Sequence, residues 1–209
     1  AHKQLIESAY ILHINGRHRK LMRSAMAVAK EVGTIISLDG GAQRYDEDMK
    51  PITEASHIVI VARDYAEKYT GTTNLEDACR IIHERGAFIA GVTDGANGSY
   101  FVWPDGTSYR CEPFSQATVV DTTGAGDSFH GAFLYMLTKT LCKIADGTNT
   151  STMNETSQSL NAIDLLHSCA HEDLEKAATF ASAVAALNTQ GIGGRSPLPS
   201  LEDIKALIG

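Results

Sequence analysis

A glycine-rich turn followed by an acidic residue is the part of this sequence best suited to chemistry. Residues 119–129 run Val-Val-Asp-Thr-Thr-Gly-Ala-Gly-Asp-Ser-Phe, which predicts a β-prone run, a tight turn and the start of a helix. Backbone N–H groups at a helix start lack helical partners, and with the positive end of the helix dipole they form an anion site. The amides of Gly124, Ala125 and Gly126 are therefore predicted to form an anion hole that stabilises charge on a transferred group.

Asp127 lies beside this predicted anion hole, in the first turn of the helix. A carboxylate repels a phosphate, so its position makes chemical sense if it takes a proton from a hydroxyl that attacks the phosphate. Such a base needs position more than strength, because the transition state of phosphoryl transfer is loose. The alternative is an Asp that only stabilises a helix N-terminus after a glycine turn. His130 is predicted to be a helix residue near the rim of the site rather than an acid–base group.

The longer string around this turn carries a family resemblance. Residues Asp121 to Ala132 run DTTGAGDSFHGA, which closely resembles the C-terminal signature of the ribokinase-like (PfkB) carbohydrate kinases. The resemblance implies a three-layer α/β/α ribokinase-like core and an ATP-dependent carbohydrate kinase with Asp127 as the catalytic base. It also implies ATP and Mg2+ as cofactors and a sugar or similar small molecule as substrate. The sequence contains no G-x-x-x-x-G-K-[ST], so it is not a P-loop protein.

The resemblance extends to residues that would bind a nucleotide and a monovalent cation. The turn at residues 93–98 looks like the family's nucleotide-binding strand end, although Asp94 replaces a usually apolar residue and a plain β-turn is the alternative. A glycine-rich C-terminal loop looks like part of the family's cation site, and a simple helix stop is its alternative use. The implied nucleotide contacts are Thr93, Gly95, Gly98, Thr123 and Ser182. The implied ligands of a cation such as K+ are the Asp121 side chain, the Thr123 carbonyl, Gly191, Gly193 and Ser196.

Two features depart from the family pattern. Members usually carry an N-x-x-E motif that helps organise Mg2+ through water, whereas the matching positions here are residues 62–65, Ala-Arg-Asp-Tyr. Asp64 or Glu67 could substitute for the motif, and a surface carboxylate is the alternative role for each. The run at residues 13–17, His-Ile-Asn-Gly-Arg, resembles that of ketohexokinase-like members, some of which also depart at this motif.

The second departure concerns an N-terminal portion. Family members place a sheet-forming lid, which carries most of the sugar contacts, ahead of the first strand seen here, and this portion is absent from the sequence, which begins Ala1-His2. The resemblance therefore predicts a piece of a longer chain, with a homodimer through the lid if such a lid exists. Two alternatives stay open: a kinase of a nucleoside or vitamin-like alcohol, and a truncated or degenerate nucleotide-binding module without turnover.

The elements that must position these residues follow from periodicity and turn signals. Strands are predicted at 10–14, 34–38, 57–61 and 87–92, with helices at 17–32 and 74–85 between them, the second of which Asn74 is predicted to cap. This alternation indicates a parallel-rich sheet in an α/β fold, and residues 99–103 and 107–110, on either side of a Pro-Asp-Gly turn, predict an appended hairpin. Further helices are predicted at 126–139, at 174–187 and from about residue 200. Residues 143–159 are polar and are predicted to form a surface insertion.

Composition restricts the classes of partner. The 209 residues carry a net charge of -7, which argues against a nucleic-acid partner. No apolar run approaches membrane-spanning length, so no membrane partner is expected. The four cysteines are widely spaced and form no C-x-x-C pair, which together with the absence of a secretory segment favours the cytoplasm.

Overall fold

The computed structural model of the protein describes residues 2–114, 118–150, 161–196 and 198–209. Its sheet has six strands whose spatial order follows the chain. The first four strands pair in parallel, and the last two form an antiparallel hairpin on the fourth. The strands are β1 (Ile11–Ile14), β2 (Ile35–Gly40), β3 (Ile58–Ala62), β4 (Ile89–Thr93), β5 (Ser99–Val102) and β6 (Ser108–Cys111).

Helices cover both faces of this sheet. They are α1 (His2–Glu7), α2 (Arg19–Val32), α3 (Lys50–Glu54), α4 (Arg63–Thr70), α5 (Leu75–Glu84), α6 (Ala125–Thr150), α7 (Ala162–His167), α8 (His171–Asn188) and α9 (Leu201–Ile208). The predicted cap of α5 is present, because the Asn74 side chain accepts hydrogen bonds from the backbone N–H groups of Glu76 and Asp77. Because β1 to β4 pair in parallel, their carboxyl ends lie at one edge of the sheet.

Two hydrophobic cores show that the fold has three layers. One core packs α2, α3, α4 and α5 against one face of the sheet, and the other packs α6, α7, α8 and α9 against the opposite face. Strands β2 and β3 are buried on both faces, as their nearly continuous apolar sequences require. The predicted α/β/α class is confirmed. None of the helices in the described parts of the chain is long and apolar enough to cross a membrane.

The structure corrects two details of the prediction for α2 and α6. Helix α2 begins at Arg19 instead of residue 17, and it buries Met22, Met26 and Ala29 while 67% of Leu21 is exposed. Helix α6 extends to Thr150 instead of ending near residue 139. Its continuation has a physical cause, because Leu141 is fully buried and Ile144 packs against the core one turn later. Residues 143–150 of the predicted surface insertion are thus helical, and residues 151–160 lie outside the described residues.

Candidate active site

The signature turn folds into a tight loop that ends at the start of α6. The Asp121 carboxylate accepts a hydrogen bond of 2.9 Å from the Thr123 N–H, and the Gly124 carbonyl accepts one of 2.8 Å from the Ser128 N–H. Gly124 has a φ of 81°, which favours glycine because a side chain would be strained there. The sequence therefore forms a sharp turn and then enters the helix, as predicted.

Three amides of this turn are free to bind an anion. The N–H groups of Gly124, Gly126 and Asp127 have no acceptor among the described residues, whereas the Ala125 N–H bonds to the Thr122 carbonyl at 3.2 Å. A Cβ atom placed on Gly126 would meet nothing within 4 Å, so space for an approaching anion exists above it. The free N–H groups lie at the positive end of a 26-residue helix. This arrangement fits a phosphate group, with Asp127 taking the place of Ala125 among the predicted donors.

The Asp127 side chain is exposed at this helix start, so an acceptor molecule in solvent can reach it. It lines one end of an open cavity of about 410 Å³ between α6, α8 and the segment before α9. The remaining walls are mostly apolar, formed by Ser128, Gly131, Ala132, Tyr135, Phe180, Val184, Gly194, Leu198 and Leu201. A carboxylate beside free amides and open space can accept a proton from a hydroxyl group bound there.

A second loop, at residues 189–194, is bound tightly to the signature turn. The other oxygen of Asp121 accepts a hydrogen bond of 2.9 Å from the Gly193 N–H, and the Thr189 carbonyl accepts bonds from the N–H groups of residues 120 and 121. These bonds from the Gly193 and Thr123 amides hold the pKa of Asp121 below its usual value. A Cβ on Gly124 would lie only 2.4 Å from the Gly194 Cα, so the two loops are in direct contact.

Among the predicted cation ligands, the structure therefore brings together Asp121, Thr123 and Gly193. Each Asp121 oxygen accepts one N–H group and keeps capacity for a further partner, and oxygen donors suit a hard cation such as K+. Gly191 and Ser196 belong to the same C-terminal segment, and no contact joins either of them to Asp121 among the described residues. The donor chemistry fits a monovalent cation at the junction of the two loops.

The predicted nucleotide turn lies at the end of β4. Gly98 is held between its neighbours, because its carbonyl accepts a bond of 2.9 Å from the Asp94 N–H and its own N–H donates to the Gly95 carbonyl. Gly98 has a φ of 86°, and a Cβ there would lie 2.3 Å from the Cys111 carbonyl oxygen, so this position accepts only glycine. The Thr93 hydroxyl lies at the same edge, 3.5 Å from the Val61 carbonyl.

Ser182 joins this region from the opposite side. It lies on α8, and its hydroxyl is close enough to the Cys111 thiol to affect the pKa of that thiol, while the Cys111 carbonyl lies beside Gly98. Burial raises the pKa of the thiol, and the neighbouring hydroxyl groups only partly oppose the shift. The predicted nucleotide contacts Ser182 and Gly98 thus lie on two sides of Cys111.

The residues at the N-x-x-E positions do not fit the family's arrangement for Mg2+. Tyr65, at the position of the glutamate, is fully buried and its hydroxyl contacts Thr53 at 2.7 Å. The two candidate substitutes are already engaged, since Asp64 accepts a bond from the Gln43 N–H at 2.6 Å and Glu67 pairs with Arg63 at 2.8 Å. These contacts favour structural roles for both carboxylates.

Asp94, the departure noted in the nucleotide turn, has a clear structural role. Its carboxylate accepts hydrogen bonds from Arg63 at 2.9 Å and from the Asn97 side chain at 3.0 Å. Arg63 thereby connects the ends of the neighbouring strands β3 and β4. Sequence reasoning had no means of finding this bridge, because a pairing 31 residues apart depends on the parallel register.

A cluster around Asp39 was also missed from the sequence. Asp39 lies near the carboxyl end of β2 with only 5% of its surface exposed, and His130 Nε2 lies 3.3 Å from its Oδ1 atom. Arg44 approaches the other carboxylate oxygen at 3.3 Å, and the His13 ring lies 5.7 Å from the His130 ring between centroids. His130 is therefore buried and paired, which corrects its placement near the rim of the site. The only sequence signal was an acidic residue inside an otherwise apolar strand.

Comparison with known proteins agrees with this geometry. The pattern of the pfkB family carbohydrate kinases matches residues 1–201. The 5-dehydro-2-deoxygluconokinase of Shouchella clausii is 23% identical over 97% of this chain and 57% of its own length. A probable fructokinase of Arabidopsis thaliana, fructokinase-5, is 28% identical over 99% of this chain and 60% of its own length. The chain thus spans less than two thirds of these relatives.

Solved structures share the fold. The fructokinase of Vibrio cholerae O395, in a form with fructose, ADP and calcium ion bound, superposes with a TM-score of 0.73 at 21% identity, covering 96% of this chain and 61% of that one. The ribokinase of Giardia lamblia gives a TM-score of 0.74 at 18% identity, with coverages of 98% and 61%. The family pattern matches nearly the whole length, and the signature turn and sheet have the geometry described above. This chain belongs to the pfkB family of carbohydrate kinases.

Proposed function

We propose that this chain carries the nucleotide-binding and catalytic part of an ATP-dependent kinase that transfers the γ-phosphate to a hydroxyl of a sugar or similar small molecule. One observation carries the proposal: the exposed Asp127 carboxylate lies in the first turn of α6, among the free N–H groups of Gly124, Gly126 and Asp127. A base and an anion hole in one helical turn are what phosphoryl transfer to an alcohol needs.

The proposed reaction joins the acceptor hydroxyl oxygen to the γ-phosphorus while the bond from that phosphorus to the β,γ-bridging oxygen breaks. The hydroxyl proton passes to the Asp127 carboxylate, and ADP leaves. The free amides of Gly124 and Gly126 bind the charge that builds on the phosphoryl oxygens. The contribution of the protein is thus position and charge stabilisation at one fixed helix end.

ATP is the proposed phosphate donor, held by Thr93, Gly95, Gly98, Thr123 and Ser182. A monovalent cation such as K+ is proposed at Asp121 and Thr123, with Gly191, Gly193 and Ser196 completing the site, where it would add positive charge beside the anion hole. Mg2+ would neutralise phosphate charge when bound with ATP, and the chain supplies no N-x-x-E residues for it.

The acceptor is proposed to be a polyhydroxylated molecule. Relatives named for 5-dehydro-2-deoxygluconate and fructose support a sugar, while a cytidine kinase of Thermococcus kodakarensis, 31% identical over 41% of this chain, keeps a nucleoside acceptor open. The cytoplasm is the proposed location, supported by four cysteines that are all free thiols. A homodimer through a lid of a longer chain is proposed from the family resemblance alone.

The decisive experiment compares Asp127→Asn with Asp77→Asn. Asp77 is also an exposed first-turn carboxylate, on α5, and it lies away from the signature turn. ADP production is measured with a panel of sugars, nucleosides and vitamin-like alcohols, and ATP affinity by calorimetry. Asp127→Asn is expected to lower kcat by at least about 100-fold, within the range of general base catalysis, with ATP affinity retained. Equal turnover in the two variants would refute the assignment of the base.

A second candidate function is a nucleotide-binding module without turnover. The observation that favours it is the loss of both motif residues, because Ala62 and the fully buried Tyr65 stand where the N-x-x-E motif has its asparagine and glutamate. This candidate predicts ATP binding with no ADP production above background for every acceptor in the panel. Any acceptor-dependent turnover that disappears in Asp127→Asn would exclude it.

A further inference from the structure

The contact between His130 and Asp39 joins the active helix to the sheet. His130 lies on α6, and its side chain is 5% exposed, while the Asp39 side chain near the end of β2 is 7% exposed. The distance of 3.3 Å between His130 Nε2 and Asp39 Oδ1 makes this a buried contact between two layers of the fold. Buried charged groups are costly unless paired, so this pair favours a single position of α6 against β2.

Asp39 is well supplied with positive partners. Burial by itself raises the pKa of the Asp39 carboxyl, but the hydrogen bond and charge of His130, with the charges of Arg44 and His13, hold it below its usual value. A carboxylate accepts only, so this contact is a hydrogen bond in the forms of His130 that carry a proton on Nε2. The buried Nδ1 atom of His130 has no hydrogen-bond partner in the described parts of the chain. The polar contact of the imidazole with Asp39 is therefore made with β2.

The position of His130 on α6 links this contact to the proposed base. Asp127 and His130 are three residues apart on α6, about one helical turn, so their side chains are neighbours on the helix surface. A side chain at the helix surface lies about 5–6 Å from the axis, so a rotation of about 10° displaces it by about 1 Å. A displacement of that size at a reacting group costs up to about 100-fold in rate.

We propose that His130, anchored by Asp39, is a positioning residue that fixes the rotation of the first turns of α6 and thereby the place of the Asp127 carboxylate. The proposal rests on the proposed function, since it assigns the residue that holds the base. His130 touches neither nucleotide nor acceptor in this scheme. Loss of the His130 side chain leaves the anion hole amides in place and changes the position of the Asp127 carboxylate.

The test uses two substitutions of His130 and one matched control. His130→Leu keeps the bulk and removes the donor, while His130→Gln keeps an N–H group near the position of Nε2. The control is His57→Leu, which removes a partly buried imidazole whose Nδ1 accepts the Ile36 N–H at 2.9 Å, at the opposite edge of the sheet. Both leucine variants lose a histidine contact with β2, but only one of them lies next to Asp127.

Four results are expected from steady-state kinetics. His130→Leu lowers kcat by about 10- to 100-fold, and it changes the KM for ATP by less than about twofold. His130→Gln restores at least half of the lost kcat, measured on a logarithmic scale. His57→Leu keeps the kcat of the original protein at a temperature where both variants are folded. In the Asp127→Asn background, His130→Leu produces no further decrease, because the residue acts through the base.

Amide hydrogen exchange supplies a readout that does not need turnover. The N–H groups of Ser128 and Phe129 are the first hydrogen-bonded amides of α6 that follow the free amides of the turn. Their exchange is expected to accelerate at least fivefold in His130→Leu and to remain unchanged in His57→Leu. If the protein shows no turnover, the proposed function fails and the exchange result alone decides the positioning role. The inference would be overturned if His130→Leu kept the kcat of the original protein while Asp127→Asn was inactive. It would also be overturned if these amides exchanged at the same rate in His130→Leu and His57→Leu.

Discussion

The contact between Gly124 and Gly194 leads to a quantitative prediction for Gly124→Ala. The added Cβ would lie 2.4 Å from the Gly194 Cα and 3.0 Å from its carbonyl oxygen, and neither backbone atom can rotate away. Placing alanine at a φ of 81° costs about 1–2 kcal/mol, and forcing a methyl group into packed structure costs about 1–3 kcal/mol. The variant should therefore lose about 2–5 kcal/mol of unfolding free energy.

The same substitution should also weaken nucleotide binding. The two loops must separate to admit the methyl group, and this movement turns the free amides of Gly124 and Gly126 away from the phosphate. A loss of about 1.4 kcal/mol in these contacts lowers affinity tenfold, so ATP affinity should fall at least about tenfold. Since small domains are stable by about 5–15 kcal/mol, the variant should remain folded for the measurement.

Gly131→Ala is the matched control for this experiment. Gly131 lies inside α6, its added Cβ would meet nothing within 4 Å, and alanine is the better helix former by about 1 kcal/mol. Urea denaturation and calorimetric ATP titration are made on both variants. Gly131→Ala should be as stable as the original protein or more so, with unchanged ATP affinity. If Gly124→Ala matched it in both measurements, the tight apposition of the two loops would be wrong.

The remaining predictions concern three other side chains. Asp121→Ala removes the acceptor of the Gly193 N–H and should speed proteolysis at residues 189–194, whereas an unchanged digestion pattern would contradict this tether. Folding lowers the pKa of Asp39, so the ionised carboxylate stabilises the folded protein. This contribution is complete above the pKa of the unfolded chain, near 3.9, and is lost as the pH falls through the pKa of the folded protein. In Asp39→Asn, the free energy of unfolding should therefore depend less on pH in the acid range. Burial raises the pKa of Tyr65 to about 12, and Tyr65→Phe should cost about 0.5–1.5 kcal/mol in urea denaturation through the lost Thr53 contact, with turnover unchanged. Loss of turnover in that variant would instead indicate a role for the hydroxyl in catalysis.

The sequence was sufficient for the fold class because its local signals agree with one another. Buried apolar runs, the Asn74 cap and the Pro-Asp-Gly hairpin turn each predict an element that the structure contains. The short helices α4 and α7 were missed, because α4 follows β3 without any loop and α7 has only six residues. Local propensity is weak for such elements, and packing decides them.

For the candidate site, the sequence predicts the local geometry best where the residues lie within one short segment. The signature turn from Asp121 to Asp127 can be recognised because its amides and carboxylate are neighbours in the chain. The pairing of Asp39 with His130 could not be predicted, because the two residues are 91 positions apart and meet only when α6 packs on the sheet. The same holds for Arg63, whose two carboxylate partners lie on different elements.

The hydrogen bond between Asp121 and Gly193 joins residues that are 72 positions apart in the chain. This separation determines when the site can form during folding. The anion-binding turn reaches its final shape only after α8 has formed and the segment behind it has docked, a late event because contacts distant in sequence form slowly. A ligand that binds only the completed turn stabilises the folded state by an amount that grows with the logarithm of its concentration above the dissociation constant. The proposed nucleotide would then act as a folding ligand for the C-terminal third of the protein, and at concentrations above its dissociation constant it would slow the degradation of the protein.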